Sequence, residues 1–113
     1  MIVDEVVEQL GLRVYAMGDM QRAITGGYAA DLLSCVMARA QAGYVWITLQ
    51  AHPNVVAVAS LLGLAAVIVT EGIKPDQETI ERAEENGVVL LGTTLTTFAV
   101  AGQMSALGVT AGA

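Results

Sequence analysis

The sequence predicts a layered α/β fold, a mainly parallel β-sheet with helices packed on its faces, and three observations carry that prediction. Tyr44-Val45-Trp46-Ile47-Thr48-Leu49, Ala65-Ala66-Val67-Ile68-Val69 and Val88-Val89-Leu90-Leu91 are short, uncharged runs rich in β-branched residues. Runs of that length and composition read as strands buried on both faces. The second and third are joined by Thr70-Glu71-Gly72-Ile73-Lys74-Pro75 and an acidic helical stretch. Strand, glycine turn, helix and strand form a βαβ unit, which forces parallel pairing and leaves the loop after each strand on one edge of the sheet.

The remaining elements follow in order. Ile2, Val3, Val6, Val7 and Leu10 make a helical stripe opposite Asp4, Glu5 and Glu8, and Gly11 ends this N-terminal helix over residues 1–11. Residues 12–16 read as a first strand, turned by Met17-Gly18-Asp19. A short extended segment, 21–24, runs into Thr25-Gly26-Gly27, and a helix is expected from about Ala29 to Arg39, closed by Ala42-Gly43. After the strand around Trp46, His52-Pro53-Asn54 opens a helix through Leu62 with Asn54 as its N-cap. Asp76 caps a helix over residues 77–85 that stops at Asn86-Gly87. Thr93-Thr94 leads into a last helix over residues 96–107, with Thr94 and Thr97 as candidate caps, and residues 108–113 are expected to fray. The core is expected to bury Val45, Ile47, Val67, Val69, Val89 and Leu91.

With 113 residues the chain has room for a single domain and one core. A hydrophobic content of 55% against 14% charged predicts that some apolar surface is covered by a bilayer or by another copy of the chain. The bilayer is disfavoured, because residues 55–69 fall short of the roughly 20 apolar residues a spanning helix needs and include Gly63. A homodimer is therefore expected, with close approach allowed by the glycine and alanine of residues 99–107. The net charge of −6 and five scattered basic residues argue against nucleic acid as a partner. The acidic opening is unlike a secretory signal, and the lone Cys35, expected at a buried helix position, fits a reducing cytoplasm.

Loops after strands are where chemistry would sit. Four are expected to share one edge, contributing Thr25, Gly26 and Gly27; His52 and Asn54; Thr70, Glu71, Gly72 and Lys74, the only base in these loops; and Thr93, Thr94 and Thr97. Glycines admit close backbone approach, and helix N-termini offer N–H groups to an anion. The same glycines are equally explained as tight βα turns, since Thr25-Gly26-Gly27 matches neither a Walker loop nor a GxGxxG fingerprint. Gly26→Val is expected to block a ligand while leaving the fold intact if Gly26 has a negative φ. Asp31, placed early in a helix, either favours the helix dipole or contacts a ligand. His52, the sole histidine, is read first as fixing its loop, with general base and metal ligand as the other roles open to it. No HExxH, Cys/His metal spacing or Ser-His-Asp order occurs, so no metal, cofactor or catalytic residue is expected.

At these same residues the chain resembles a known family. Residues 24–34, His52-Pro53-Asn54 with the apolar run after it, Val67-Ile68-Val69-Thr70-Glu71-Gly72 and the stretch from Thr93 to Phe98 are together similar to a DRTGG domain, over about residues 13–104. The eponymous Asp-Arg-Thr-Gly-Gly survives only as Thr25-Gly26-Gly27 after Ala23-Ile24. Where relatives often have Asp-Thr before the phenylalanine, this chain has Thr96-Thr97. The resemblance implies an accessory role, since such domains sit beside phosphate acetyltransferase domains and between the CBS domains of some inorganic pyrophosphatases. It also implies a fold like the N-terminal domain of HPr kinase. The expected function is a non-catalytic, dimeric, cytoplasmic module sensing a small anionic metabolite or nucleotide at the loop edge. The alternatives are an adaptor that docks a partner enzyme without a ligand, and a small enzyme using His52 with Asp31 or Glu71.

Overall fold

In the computed structural model, which describes residues 1–112, the chain runs α1 (Val3–Leu10), β1 (Arg13–Ala16), β2 (Gly26–Ala29), α2 (Leu33–Arg39), β3 (Tyr44–Thr48), α3 (Pro53–Leu62), β4 (Ala66–Val69), α4 (Gln77–Asn86), β5 (Leu90–Gly92) and α5 (Thr97–Ala106). The strands form one five-stranded sheet in the order β1-β5-β4-β3-β2. β2, β3, β4 and β5 pair in parallel, and β1 lies antiparallel against β5 with its register shifted between Val14 and Ala16. The predicted mixed α/β layering with a mainly parallel sheet is what the structure shows.

Strand alternation sends side chains to two cores. Tyr44, Trp46, Val67, Val69 and Leu90 pack with Val36 of α2, Val55, Val56 and Ala59 of α3, and Ala83 of α4. Val45, Ile47, Ala66, Ile68, Val89 and Leu91 pack with Val3 and Val6 of α1 and with Val100 and Met104 of α5. All six residues expected in the core are buried. The central strands carry no polar face because helices cover both sides, as parallel sheets require. Among the described residues no helix is long and apolar enough to cross a membrane.

The expectations around the glycine pair are corrected. Gly26 and Gly27 do not turn the chain; they lie inside β2, opposite Tyr44 and Val45 of β3. The reason is steric. A Cβ on Gly26 would sit 2.6 Å from Cε1 of Tyr44, so glycine here marks a strand that passes tightly under an aromatic ring. The Trp46 Nε1 donates to the Ala30 carbonyl at 2.8 Å and holds the far end of β2 in place. Consequently the helix starts at Leu33 rather than Ala29, and residues 21–24 form no strand beyond an isolated Ile2–Ala23 bridge.

Smaller boundaries move for identifiable reasons. His52, not Asn54, is the N-cap residue of α3, because Pro53 occupies the first helical position where a missing N–H costs nothing. Thr96 rather than Thr94 or Thr97 caps α5, its Oγ1 accepting from the Ala99 amide at 3.1 Å. Cys35 is half-buried on α2 rather than fully buried. Within the segment expected to fray, the Gly27 amide donates to Thr110 O at 2.8 Å and the Tyr44 hydroxyl to Ala111 O at 3.1 Å; Ala113 lies outside the described residues.

Two expectations follow. Gly26→Val, foreseen from sequence as harmless to the fold, should instead destabilise it by about 1–3 kcal/mol through overpacking against Tyr44, read as a lowered urea midpoint. Asp76 caps α4 as predicted. Its Oδ1 accepts from the Thr79 amide at 2.9 Å and from the Thr79 hydroxyl at 2.8 Å, and these bonds hold its carboxyl below the usual aspartate value. A lowered folded value means the stabilisation is complete above the unfolded aspartate value of about 3.9 and is lost as pH falls through the lower folded one. Melting curves of the wild type and Asp76→Ala should therefore differ at neutral pH and converge as the pH drops below that window.

Candidate functional site

Parallel pairing decides which loops meet. Thr48, Val69 and Gly92 end β3, β4 and β5 in register, and Ala29 of β2 pairs with Ile47. The segments that follow therefore lie along one edge. This brings together Asp31, His52, Asn54, Thr70, Glu71, Gly72, Thr93, Thr94 and Thr97 among the residues expected there. Thr25, Gly26 and Gly27 are not among them: they enter β2 at its N-terminal end, where Thr25 N donates to Gly43 O at 3.0 Å and its Oγ1 to Ala42 O at 3.2 Å. Only the placing of Thr25, Gly26 and Gly27 on that edge rests on reading as a turn what is a strand. Because β1 is antiparallel, its first residue, Arg13, lies opposite Gly92 and joins the edge instead.

A hydrogen-bonded frame fixes this edge. The Thr70 amide donates to Thr48 O at 3.0 Å and the Thr93 amide to Val69 O at 3.0 Å, extending the strand register into the loops. Thr70 is buried, and its hydroxyl lies 2.7 Å from Thr97 Oγ1 and donates to Thr48 O at 3.3 Å. The Thr48 hydroxyl donates to Asp31 Oδ1 at 2.9 Å, and that same oxygen accepts from the Leu49 amide at 2.8 Å. Asp31 thus stands ahead of α2 as a loop acceptor, not within the helix. No buried side-chain nitrogen or oxygen lacks a partner among the described residues.

Glu71 and Gly72 both adopt the left-handed conformation, with φ of 61° and 73°. For a glutamate this costs about 1–2 kcal/mol, and the bonds around it show what holds it there. The Glu71 amide donates to Leu95 O at 2.8 Å, the Gly72 amide to Thr93 O at 2.9 Å, and Glu71 Oε2 accepts from the Thr97 amide at 3.4 Å. The loop after β4 is clipped onto the loop after β5, and the Glu71 carboxylate is turned toward the start of α5.

Two concavities open on this edge. One, of about 240 Å³, lies between the start of β1, the end of β5 and the loop after β4; Arg13, Tyr15, Gly72, Lys74, Thr93 and Thr94 line it. The Arg13 guanidinium stacks over the Tyr15 ring, 5.0 Å from its centroid. That ring in turn lies against Gly92, where a Cβ would come 2.4 Å from Tyr15 Cε2, so glycine at the end of β5 makes room for the stack. The second is a shallower depression of about 470 Å³ beside it, lined by Gln50, His52 and Asp76 and sharing Ile73 and Lys74 with the first. Of the expected residues, Gly72, Lys74, Thr93 and Thr94 line the cavity and His52 the depression. Asp31, Thr70, Glu71 and Thr97 belong to the supporting frame, and Asn54 is exposed on the first turn of α3 outside both. Arg13 and Tyr15 were missed. The available signal was their i, i+2 spacing, which puts both on one face of a strand, but only antiparallel pairing carries that face to this edge.

The comparisons can be set against this geometry. The sequence pattern of the DRTGG domain matches residues 5–107. Among solved structures, the chain is similar to the CBS and DRTGG domains of the regulatory region of Clostridium perfringens pyrophosphatase, crystallised with the activator diadenosine tetraphosphate. The TM-score is 0.73 at 19% identity, covering 89% of this chain and 44% of that one. The chain therefore spans less than half the length of this structural neighbour. No curated protein matches it in sequence. With the family pattern running from α1 to the end of α5 over a parallel sheet of the expected kind, the chain belongs to the DRTGG domain family.

Proposed function

We propose that the chain is a non-catalytic regulatory module of the cytoplasm, working as a homodimer and sensing a small anionic metabolite or nucleotide at the C-terminal edge of its sheet. The observation that carries the reading is the cavity between Arg13, Gly72, Lys74 and Thr94, formed where open α/β sheets bind ligands. The structural neighbour, part of a pyrophosphatase regulatory region crystallised with a nucleotide activator, supports a role of this class. The acids on the edge favour framework over catalysis. Asp31 and Glu71 accept from loop amides and hydroxyls, and neither is hydrogen-bonded to His52 among the described residues.

A thermal-shift screen with nucleotides and phosphorylated metabolites tests the sensing role. A ligand at 100 times its dissociation constant should add about 2.7 kcal/mol to stability. A flat response to every compound would favour the adaptor reading, in which the chain docks a partner enzyme and the edge stays empty. The observation on that side is apolar surface: Phe98 is 90% exposed.

The dimer reading uses the same surface. α5 turns Val100 and Met104 into the core and leaves Phe98 and Gly102 outward, and a Cβ on Gly102 would meet nothing within 4 Å. This open face accepts close approach by a second helix, in an interface that for obligate dimers often exceeds roughly 2,000 Å². Phe98→Asp should convert dimer to monomer in sedimentation equilibrium at micromolar concentration. A wild-type chain that sediments as monomer under the same conditions would refute the dimer.

A further inference from the structure

We infer that the cavity between β1 and the loops after β4 and β5 holds a single phosphoryl group, and that the ligand is a small monophosphate whose organic part is uncharged or cationic. The inference rests on the sensing role proposed above and names the chemistry of that same edge.

Charge is the first observation. The chain carries eleven acids and five Arg and Lys residues, yet two of the five, Arg13 and Lys74, line this cavity and none of the acids does. Neither cation is spent elsewhere. Among the described residues the one ion pair is Arg82–Glu78, on α4; of the acids flanking Lys74, Glu71 is turned to the Thr97 amide and Asp76 accepts from Thr79. A local reversal of sign on an acidic protein selects an anion. Arg13 is also pre-positioned, since stacking on Tyr15 restrains a guanidinium that would otherwise lose side-chain freedom on binding.

Size and surroundings narrow the class. A volume of about 240 Å³ is below the roughly 300–1,000 Å³ typical of sites that enclose drug-sized ligands. The inner cavity by itself fits a phosphoryl group, and the rest of any larger ligand would have to lie in the open depression beside it. Gly72 leaves its stretch of the wall without a side chain, Gly92 makes room for the Tyr15 ring that supports Arg13, and the exposed Thr94 lines the cavity with a hydroxyl available to an oxyanion. Across Ile73 and Lys74 the cavity continues into the depression beside His52 and Asp76. The Asp76 carboxylate there, held ionised by its bonds to Thr79, would repel a second phosphate. Ile73, 41% exposed, instead offers an apolar shelf for a carbon skeleton. The inner end carries Arg13 and Lys74 with no acid, while at the outer end Asp76 offsets the shared Lys74, so the excess of positive charge that matches one phosphate lies at the inner end.

The test is a titration of the ¹⁵N-labelled full chain with inorganic phosphate at constant ionic strength, set with chloride. Saturable shifts centred on the Gly72, Gly92 and Thr94 amides are expected. Arg13→Gln and Lys74→Gln should each weaken the response at least about tenfold, a loss within the range for a charge-assisted hydrogen bond. Arg39→Gln, which makes the same charge change on α2, should leave it intact and controls for bulk electrostatics. The exposed Lys74 variant keeps the test informative if Arg13→Gln disturbs β1, which its own spectrum would reveal. No saturable shift, a shift reproduced by chloride, or one unchanged in both variants overturns the inference. The broader reading is separated by adding the screened nucleotides and metabolites. If one of them moves edge amides equally in wild type and Arg13→Gln, the edge senses a ligand but not through this phosphoryl site. If none moves any edge amide, the sensing role itself falls.

Discussion

The register that the parallel strands impose on one another is the constraint on which the rest of this structure depends. Thr48, Val69 and Gly92 end their strands side by side, and two backbone bonds, Thr70 to Thr48 and Thr93 to Val69, carry that alignment one residue into the loops. Buried threonines then do what apolar residues could not. The Thr70 hydroxyl donates to the Thr48 carbonyl and meets Thr97 Oγ1, while the Thr48 hydroxyl donates to Asp31, so the ends of β3 and β4 are tied to the start of α5 and to the segment after β2. A slip of one residue would exchange the two faces of every strand and present the wrong side chains to both helical layers. With both faces buried, no such slip is tolerated, and the loop edge inherits that precision.

The parts of the fold legible in the sequence are those where one local pattern suffices. β3, β4 and β5 are uninterrupted apolar runs, and the Asp76 cap follows from an acceptor placed three residues before Thr79. β2 was not legible because in Gly26-Gly27-Tyr28-Ala29 only Tyr28 favours a strand, while the glycine pair reads as a turn. It is a strand because Tyr44 leaves room for no side chain and Trp46 bonds to Ala30, both tertiary facts. The candidate site divides the same way. Gly72, Thr93 and Thr94 were found because they follow recognisable strands. Arg13 was not, because its place depends on the direction in which β1 joins the sheet, and no residue of β1 records that.

The two departures from the family pattern differ in their physical consequence. Thr96 stands where relatives often have aspartate, and here it accepts the Ala99 amide as the N-cap of α5. Threonine and aspartate are both good N-cap acceptors, so either residue can cap α5 at this position. Ala23 and Ile24, in place of the Asp-Arg of the motif, behave differently. Ala23 bridges to Ile2, Ile24 donates its amide to Met1 O at 2.8 Å, and the Ile24 side chain packs on the core beneath α1. These positions lie toward the opposite end of the strands from the loop edge. The backbone ties to the N-terminal helix do not depend on these side chains; the Ile24 side chain adds apolar packing beneath α1, and neither residue lines the Arg13–Lys74 cavity.

A sensing role requires more than a pocket, because a ligand shifts an equilibrium only to the extent that it binds two states differently. The structure narrows where such a difference could arise. The wall of the cavity contributed by Gly72 and Lys74 is the outer part of a strained turn, with Glu71 kept at positive φ by its bonds to Leu95 and Thr97. Those two residues are the approach to α5 and its first helical position, immediately before the exposed Phe98. On the proposed reading, a phosphoryl group drawing Lys74 and Arg13 together would pull on the same turn that sets the start of α5. Relaxing Glu71 to negative φ would relieve about 1–2 kcal/mol at the expense of both bonds, so a ligand that favoured the relaxed turn over the observed one would have to offset their loss. On that reading the cavity and the face of α5 proposed for the dimer would communicate through one turn and two hydrogen bonds, from Glu71 to Leu95 and Thr97.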